Sequence, residues 1–223
     1  MRITLLFLPF FLSSCLAVHY NQIGSNELMM DEKKDFVYEN DTIRILYRYS
    51  GMGGPLQITL ENKSSQSLLV DWKKSALIAE SGVYAYYRPA AALNGSVEAG
   101  NSGQGQITGL VTAEEAVQFL PPNARITRRL GRTEDLIKEP ADFSGVPWWK
   151  KGAGYSRLKY KELNFKEEDS PLKFRSFITL RSGPGEGREI TLDHSFYLSA
   201  SLRYQNGYMV PAPIKNAGNT FMY

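Results

Sequence analysis

Alternation of apolar and polar positions at every second residue is the clearest pattern in this chain, and it predicts β-strands. In residues 42–49, Ile43, Ile45 and Tyr47 lie on one face and Arg44 lies on the other. Similar or shorter runs occur at 56–60, 68–72, 76–79, 83–87 and 174–181. Segments rich in Gly, Pro, Asn and Ser separate several of them, at 51–55, 62–66 and 182–187. We therefore predict an all-β domain, an antiparallel immunoglobulin-like β-sandwich in which 42–72 forms a meander.

The longest alternating run lies between Ile190 and Tyr204, where every second residue is apolar except His194. A straight strand of this length would span about 50 Å at ~3.3 Å per residue, which is more than the height of a sandwich. We therefore expect a bend, a bulge or a change of sheet near its middle.

Three segments lack a sustained period. Residues 94–105 are rich in Gly, Ser and Asn and predict a flexible loop. Residues 112–115 fit the capping box of a short helix, although a strand at 116–120 is the favoured interpretation. We interpret residues 130–155 as a long irregular insertion.

The first residues have the pattern of a bacterial lipoprotein signal peptide. Arg2 precedes an apolar stretch, residues 3–12, that is far shorter than the roughly 20 residues of a membrane-spanning helix. Leu12, two serines and Cys15 then follow in the order of a lipobox, in which the cysteine receives diacylglycerol before cleavage. We expect a signal peptide at 1–14, a lipid on Cys15, a polar tether at 15–35 and the domain at 36–223.

Composition limits the possible chemistry. The net charge of +3 comes from scattered cationic pairs, whereas nucleic-acid binding needs a concentrated basic face. A single cysteine permits no disulfide within the chain and, with two histidines, no Cys/His zinc site. The acidic clusters lack the alternate spacing of a calcium loop. We expect no cofactor or metal.

Neither histidine has the setting of a catalytic base. His19 falls in the predicted tether, where it cannot be held in a defined site. His194 follows Asp193, but neighbouring residues of a strand point to opposite faces. We interpret His194 as a core or sheet-edge residue with a satisfied hydrogen bond.

Two groups of aromatic residues are the candidate binding residues. One is Trp148 and Trp149 followed by Lys150 and Lys151; the other comprises Tyr84, Tyr86 and Tyr87. Exposed Trp and Tyr beside cations suit carbohydrate stacking, protein hot spots or a membrane interface, and the alternative is that they cover the edges of the core.

The chain resembles uncharacterised envelope lipoproteins of Gram-negative bacteria between Phe36 and Tyr204. The segments that carry the resemblance are DTIRI (41–45), NK (62–63), VDWKKS (70–75), FLPPN (119–123) and LKFRSF (172–177). The resemblance implies export, lipidation and an immunoglobulin-like domain, and it supplies no catalytic residues. Leu16 stands where an Asp would retain an enterobacterial lipoprotein in the inner membrane, which favours the outer membrane.

These observations favour a non-enzymatic binding or assembly module, held at the envelope by lipid and offering its aromatic residues to a protein or glycan partner. This hypothesis requires Trp148 and Trp149 to be exposed. The alternative is a hydrolase of envelope polysaccharide, which requires two carboxyl groups roughly 5 to 10 Å apart across a cleft. A structural envelope protein without a ligand is the third possibility.

Overall fold

The computed structural model describes residues 17–87, 92–99, 103–110, 115–136, 141–151, 158–183, 187–205 and 210–222. Their strands are β1 (Val18–Gly24), β2 (Met29–Met30), β3 (Phe36–Glu39), β4 (Ile43–Arg48), β5 (Gly51–Met52), β6 (Pro55–Asn62), β7 (Leu68–Ala79), β8 (Gly82–Ala85), β9 (Ala92–Ala99), β10 (Gly103–Leu110), β11 (Val117–Leu120), β12 (Arg125–Arg132), β13 (Trp149–Lys151), β14 (Leu158–Asn164), β15 (Lys173–Ser182), β16 (Glu189–Tyr204) and β17 (Thr220–Met222). A 3-10 helix (Thr133–Leu136) and a short helix, α1 (Ala212–Lys215), complete the elements.

The strands form two packed sheets and a separate hairpin. Sheet A has the order β11-β7-β15-β16-β1-β17-β5. In addition, β8 pairs with β7, β14 pairs with β16, and β13 pairs with β14. Sheet B has the order β12-β6-β4-β3-β2. The pairs are antiparallel except β17 with β5. The prediction of an all-β sandwich is confirmed, and the immunoglobulin-like topology stays a prediction.

The core lies between the two sheets, as the period-two pattern requires. Ile43, Ile45 and Tyr47 of β4 point inward and are buried, while Arg44 and Arg48 on the other face are partly exposed. From sheet A, the inward residues include Trp72 of β7 and the alternate residues of β15 and β16. Burial of these apolar side chains is the main source of stability, since the chain can form no internal disulfide.

The expected meander of three strands is wrong at its last step. β4 pairs with β6 in sheet B, but β7 belongs to sheet A, where it pairs with β15. The turn at residues 63–67 therefore carries the chain across the core from one sheet to the other. Both arrangements bury Leu68, Val70 and Trp72, so alternation alone could not distinguish them.

The long run at 190–204 is a single strand, β16, with a bulge. Gln22 of β1 pairs with Ala200, and the next residue, Ile23, pairs with Leu198, which leaves Ser199 as the extra residue. Leu198 packs with Ile23 in the main core, whereas Ala200 joins a second apolar cluster with Tyr20. The bulge therefore turns the apolar stripe from one face of the sheet to the other, as the length of the strand suggested.

The predicted tether is wrong from residue 18 onward. Val18–Gly24 is strand β1, which pairs with β16 on one side and β17 on the other. Asn21 is buried in this strand, and its side-chain oxygen accepts a hydrogen bond from Ser201 Oγ at 2.6 Å. His19 is likewise held in the strand, with its ring edge-on to Phe143 at 5.8 Å.

Two further interpretations need correction. Within the segment predicted as a flexible loop, β9 and β10 form an antiparallel hairpin, which pairs Leu93 with Gly109, Val97 with Gly105 and Ile107 with Gly95. Gly95, Gly105 and Gly109 lie within these two strands, and they interrupt the alternation of apolar and polar residues that would have indicated a strand. Within the predicted insertion, the end of β12, the 3-10 helix and β13 are regular.

Candidate functional site

The tryptophan pair lies at one edge of sheet A. Four adjacent strands, β13, β14, β16 and β1, place one residue each in a single row across the sheet. These residues are Trp149, Tyr160, Tyr204 and Val18. The rings of Tyr160 and Tyr204 are stacked at 5.8 Å. Trp148 and Trp149 are 42% and 54% exposed, so the exposure that the binding hypothesis requires is confirmed. We call Trp148, Trp149 and Tyr160 the tryptophan edge.

A lysine is held over Trp148. Lys161 Nζ lies 5.3 Å from the centroid of the indole ring and donates a hydrogen bond to the carbonyl oxygen of Phe143 at 2.9 Å. Phe143 is itself buried against His19. The ammonium group and the indole are therefore positioned relative to each other, as in a cation–π pair.

The two strands beside the tryptophan edge, β13 and β14, are rich in lysine. Lys150 pairs in register with Lys159, and Lys151 pairs with Leu158, so these residues follow Trp149 toward the end of the sheet. The nearest acidic residues in sequence are Asp142 and Glu162. Hydrogen bonds from Ser144 lower the pKa of the Asp142 carboxyl. The strands that carry Trp149 and Tyr160 therefore contain four lysines and one glutamate.

The three tyrosines of the second candidate group do not share one surface. Tyr84 of β8 is exposed, and its hydroxyl donates to Ser81 Oγ at 2.9 Å. Tyr87 is half-buried, with Lys73 Nζ 5.5 Å from its ring centroid. Tyr86 is only 4% exposed, and its hydroxyl donates to the buried Ser176 Oγ at 2.8 Å. The prediction that Tyr86 belongs to a binding surface is therefore wrong, because it fills the core.

A second exposed apolar surface, which the sequence analysis did not identify, lies where β8 and β11 pair with β7. Val83 is 71% exposed and Phe119 is 57% exposed, and Tyr84 and Val117 are also exposed. Among the described strands, β8 and β11 each pair with β7 alone, so each presents an unpaired backbone edge. Neighbouring residues of a strand point to opposite faces, so Tyr84 lies on the other face of β8 from Val83. We call the other three residues, Val83, Val117 and Phe119, the distal edge. The signal was present in Val117 and Phe119, which alternate on β11 and are both exposed.

Strand β16 separates the two surfaces. Its last residue, Tyr204, lies in the same row as Trp149. Its first residue, Glu189, lies in the row of Arg181, Leu69 and Phe119. Along the strand the two rows are about 50 Å apart at ~3.3 Å per residue. Trp149 and Phe119 therefore lie at opposite ends of sheet A, and Val83 lies between them in the row of Ser195.

The interior histidine is structural, as predicted. His194 is buried, and its Nδ1 lies 2.8 Å from the hydroxyl of Tyr47. Burial lowers the pKa of His194. Asp193 points to the other face of β16, where its carboxylate pairs with Arg175 Nη1 at 2.5 Å. The hydrogen-bond partner of His194 Nδ1 is thus the Tyr47 hydroxyl, and the Asp193 carboxylate does not orient the imidazole.

A polar cavity of about 210 Å³ lies on the outer face of sheet B. It is lined by Arg48, Ser50, Pro55, Gln57 and Arg129. Asp35 accepts hydrogen bonds from Arg48 Nε at 2.7 Å and Arg48 Nη2 at 2.6 Å, which hold this guanidinium in place. The lining contains no carboxylate, so this cavity lacks the acid pair that the hydrolase hypothesis needs. Within the described residues, no group of three or more His, Cys, Asp and Glu is placed to bind a metal ion.

The predicted lipidation site, Cys15, lies outside the described residues, and β1 begins at Val18. Within the described part of the chain, no helix is long and apolar enough to cross a membrane. No protein-family model matches the chain, and no solved structure matches it.

Proposed function

We propose that this protein is a lipid-anchored, non-enzymatic binding module of the bacterial cell envelope, which holds a protein partner at its distal edge. The lipobox from Leu12 to Cys15 supports the anchor. The proposed location is the outer membrane, in keeping with Leu16 after the lipidated cysteine.

The observation that carries the binding role is the distal edge, where β8 and β11 pair with no described strand other than β7. Sheet edges that end in exposed apolar side chains are sites of association, and natural proteins usually protect them with charges or prolines. Here Phe119 and Val117 are exposed on β11, and Val83 is exposed on β8. A partner that adds an extended segment would pair with the free backbone groups and cover these side chains.

A protein suits this surface better than a glycan. Backbone hydrogen bonding along a strand edge recognises another polypeptide, and Phe119 and Val83 give it apolar anchors. A glycan partner would instead use flat aromatic rings beside polar groups, and such rings lie at the tryptophan edge. We therefore assign the protein partner to the distal edge.

The proposal is tested by photocrosslinking in living cells that make the native lipoprotein. A photoreactive phenylalanine analogue replaces Val117, and in a control it replaces Ser65, which is exposed in the turn between β6 and β7. We expect a protein-sized adduct from position 117 and none from position 65. Phe119→Asp should abolish the adduct without changing the amount of folded protein, whereas Asn123→Asp, also exposed, should leave it intact.

The other outcomes count against the proposal. An adduct that is removed by glycosidases would favour a glycan partner, and absence of any adduct from position 117 would contradict a protein-binding role for the distal edge.

A further inference from the structure

We propose that the tryptophan edge rests on the surface of the membrane that holds the lipid anchor, with its indole rings in the headgroup region and its lysines on anionic lipid. This inference depends on the lipidation of Cys15 in the proposed function. It assigns the ligand of the tryptophan edge as a bilayer surface, which leaves the distal edge for the partner.

The anchor lies a short distance along the chain from the sheet. Only Leu16 and Ala17 separate Cys15 from β1. Three consecutive Cα–Cα steps span at most about 11 Å. A domain on so short a connection cannot stand away from the membrane, so the end of the sheet at Val18 must lie at the bilayer surface.

Trp149 lies in the same row of the sheet as Val18. Val18, Tyr204, Tyr160 and Trp149 lie side by side on four adjacent strands. Adjacent strands are about 4.8 Å apart, so Trp149 lies about 14 Å from Val18 across the sheet. When β1 stands upright on its anchor, Trp149 lies at the same height above the membrane as Val18.

Strand β13 runs from Trp149 toward the membrane. Because β13 is antiparallel to β14 and β14 to β16, Lys150 and Lys151 follow Trp149 away from the body of the sheet. Lys159 lies in the row of Lys150. These residues are therefore at or below the level of Val18, where the headgroups would be.

The chemistry of this end fits a bilayer surface. Trp and Tyr concentrate at membrane interfaces because their rings are apolar and their N–H or O–H groups are polar. Lysines near the surface are attracted to anionic lipids. On the opposite side of the anchor strand, β17 and β5 place Met52, which is also exposed, in the row of Tyr20. Exposed apolar side chains therefore flank the anchor on both sides.

Side-chain packing fixes the position of the tryptophan edge relative to β1, so the tryptophan edge cannot rotate away from the membrane independently. Tyr160 stacks on Tyr204, and Tyr204 packs edge-on to Tyr20 at 5.8 Å. Tyr204 and Tyr20 are buried in the second apolar cluster with Val210. This packing joins the strand of Trp149 to the strand that leaves the anchor.

The chain contains its own spectroscopic control. Of its three tryptophans, Trp72 is fully buried between the sheets, and Trp148 and Trp149 are exposed. The lipoprotein is reconstituted in vesicles of phosphatidylethanolamine and phosphatidylglycerol whose acyl chains are brominated near the headgroup, because bromine quenches nearby indole fluorescence. The matched variant is Trp148→Phe/Trp149→Phe, which leaves Trp72 as the single fluorophore.

We expect brominated lipid to reduce the emission of the wild-type lipoprotein and to leave that of the double variant unchanged. Replacing phosphatidylglycerol with phosphatidylcholine should weaken the quenching. Lack of quenching in protein that floats with the vesicles would overturn the inference while leaving the anchor intact. Protein that does not float and carries no acyl mass would instead overturn the proposed anchor.

Discussion

The hydroxyl of Tyr47 lies 2.8 Å from Nδ1 of His194, and this contact joins sheet B to sheet A through the core. The ring of Tyr38 packs against the same imidazole, with centroids 4.6 Å apart. Two polar groups are thus buried together at the interface of the sheets. A buried polar pair of this kind stabilises the fold only while both partners are present.

Conservative removal of the Tyr47 hydroxyl should therefore destabilise the protein. Tyr47→Phe leaves a ring nitrogen of His194 without its partner, and we expect a loss of about 1–3 kcal/mol in the free energy of unfolding. Tyr49 supplies a matched control, because its hydroxyl is buried with no hydrogen-bond partner among the described residues. Tyr49→Phe should be neutral or stabilising in urea denaturation, and equal losses in the two variants would contradict this account.

The same histidine should make stability depend on pH. Burial lowers the pKa of His194 from its ordinary value of 6.5, although Glu27 and Asp193 oppose the shift. Below about pH 6.5 the unfolded chain therefore binds a proton that the folded protein binds only at lower pH. Stability is complete above that pH and falls as the pH drops toward the folded-state pKa.

Thermal unfolding between about pH 7 and pH 5 tests this dependence. His194→Gln should flatten the decline in melting temperature. Burial and Arg203 also lower the pKa of His19. The variant His19→Gln therefore measures how much His19 contributes to the pH dependence of the melting temperature. A decline unchanged in His194→Gln would show that other groups control the acid sensitivity.

Asn62 is another buried polar residue, and its replacement should strongly reduce the free energy of unfolding. Its side-chain NH₂ donates to the carbonyl oxygens of Gln66 at 2.7 Å, Leu120 at 3.1 Å and Pro121 at 3.1 Å. Asn62→Asp places a carboxylate against three carbonyls, and we expect a loss of about 3 kcal/mol or more.

Asn40→Asp is the matched control for this change. The side-chain oxygen of Asn40 accepts the backbone N–H groups of Thr42 and Ile43, each at 2.9 Å, on an exposed turn. A carboxylate accepts the same bonds, so the loss should be below about 1 kcal/mol. Similar denaturation midpoints for the two variants would contradict the assigned roles.

Gly54 is required by both its backbone angle and its surroundings. It has a φ of +63°, and a Cβ at this position would lie 2.7 Å from the buried ring of Phe221. Gly145 has a similar φ of +72° with open space around it. Gly54→Ala should lower the melting temperature more than Gly145→Ala does, because overpacking typically adds about 1–3 kcal/mol to the conformational strain. Equal shifts would contradict the proposed contact.

Alternation in the sequence was sufficient to predict the strands with one buried face. β4, β6 and the first part of β7 were identified because their apolar residues fall on alternate positions. The pattern could not assign β7 to its sheet, since either sheet would bury the same residues. It also could not locate β1, where the polar residue Asn21 is buried and its side-chain oxygen accepts a hydrogen bond from Ser201 on the neighbouring strand.

The exposure of the candidate binding residues was only partly predictable from the sequence, because it also depends on which strands pair. Trp148 and Trp149 are exposed, as the binding hypothesis required, but Tyr86 is buried although it lies next to an exposed strand. Exposure of Phe119 and Val83 depends on which strands end a sheet, and this follows from long-range pairing. Such pairing is not encoded in the local period of either segment.

The central claim is that Cys15 carries a lipid that holds this module at the envelope membrane. The most direct test is the intact mass of the native protein extracted from membranes of the cells that make it. We predict a chain that begins at Cys15 and carries the added mass of diacylglycerol, with or without a further acyl group. An unacylated chain that still begins at Met1 and is recovered from the cytosol would contradict the account.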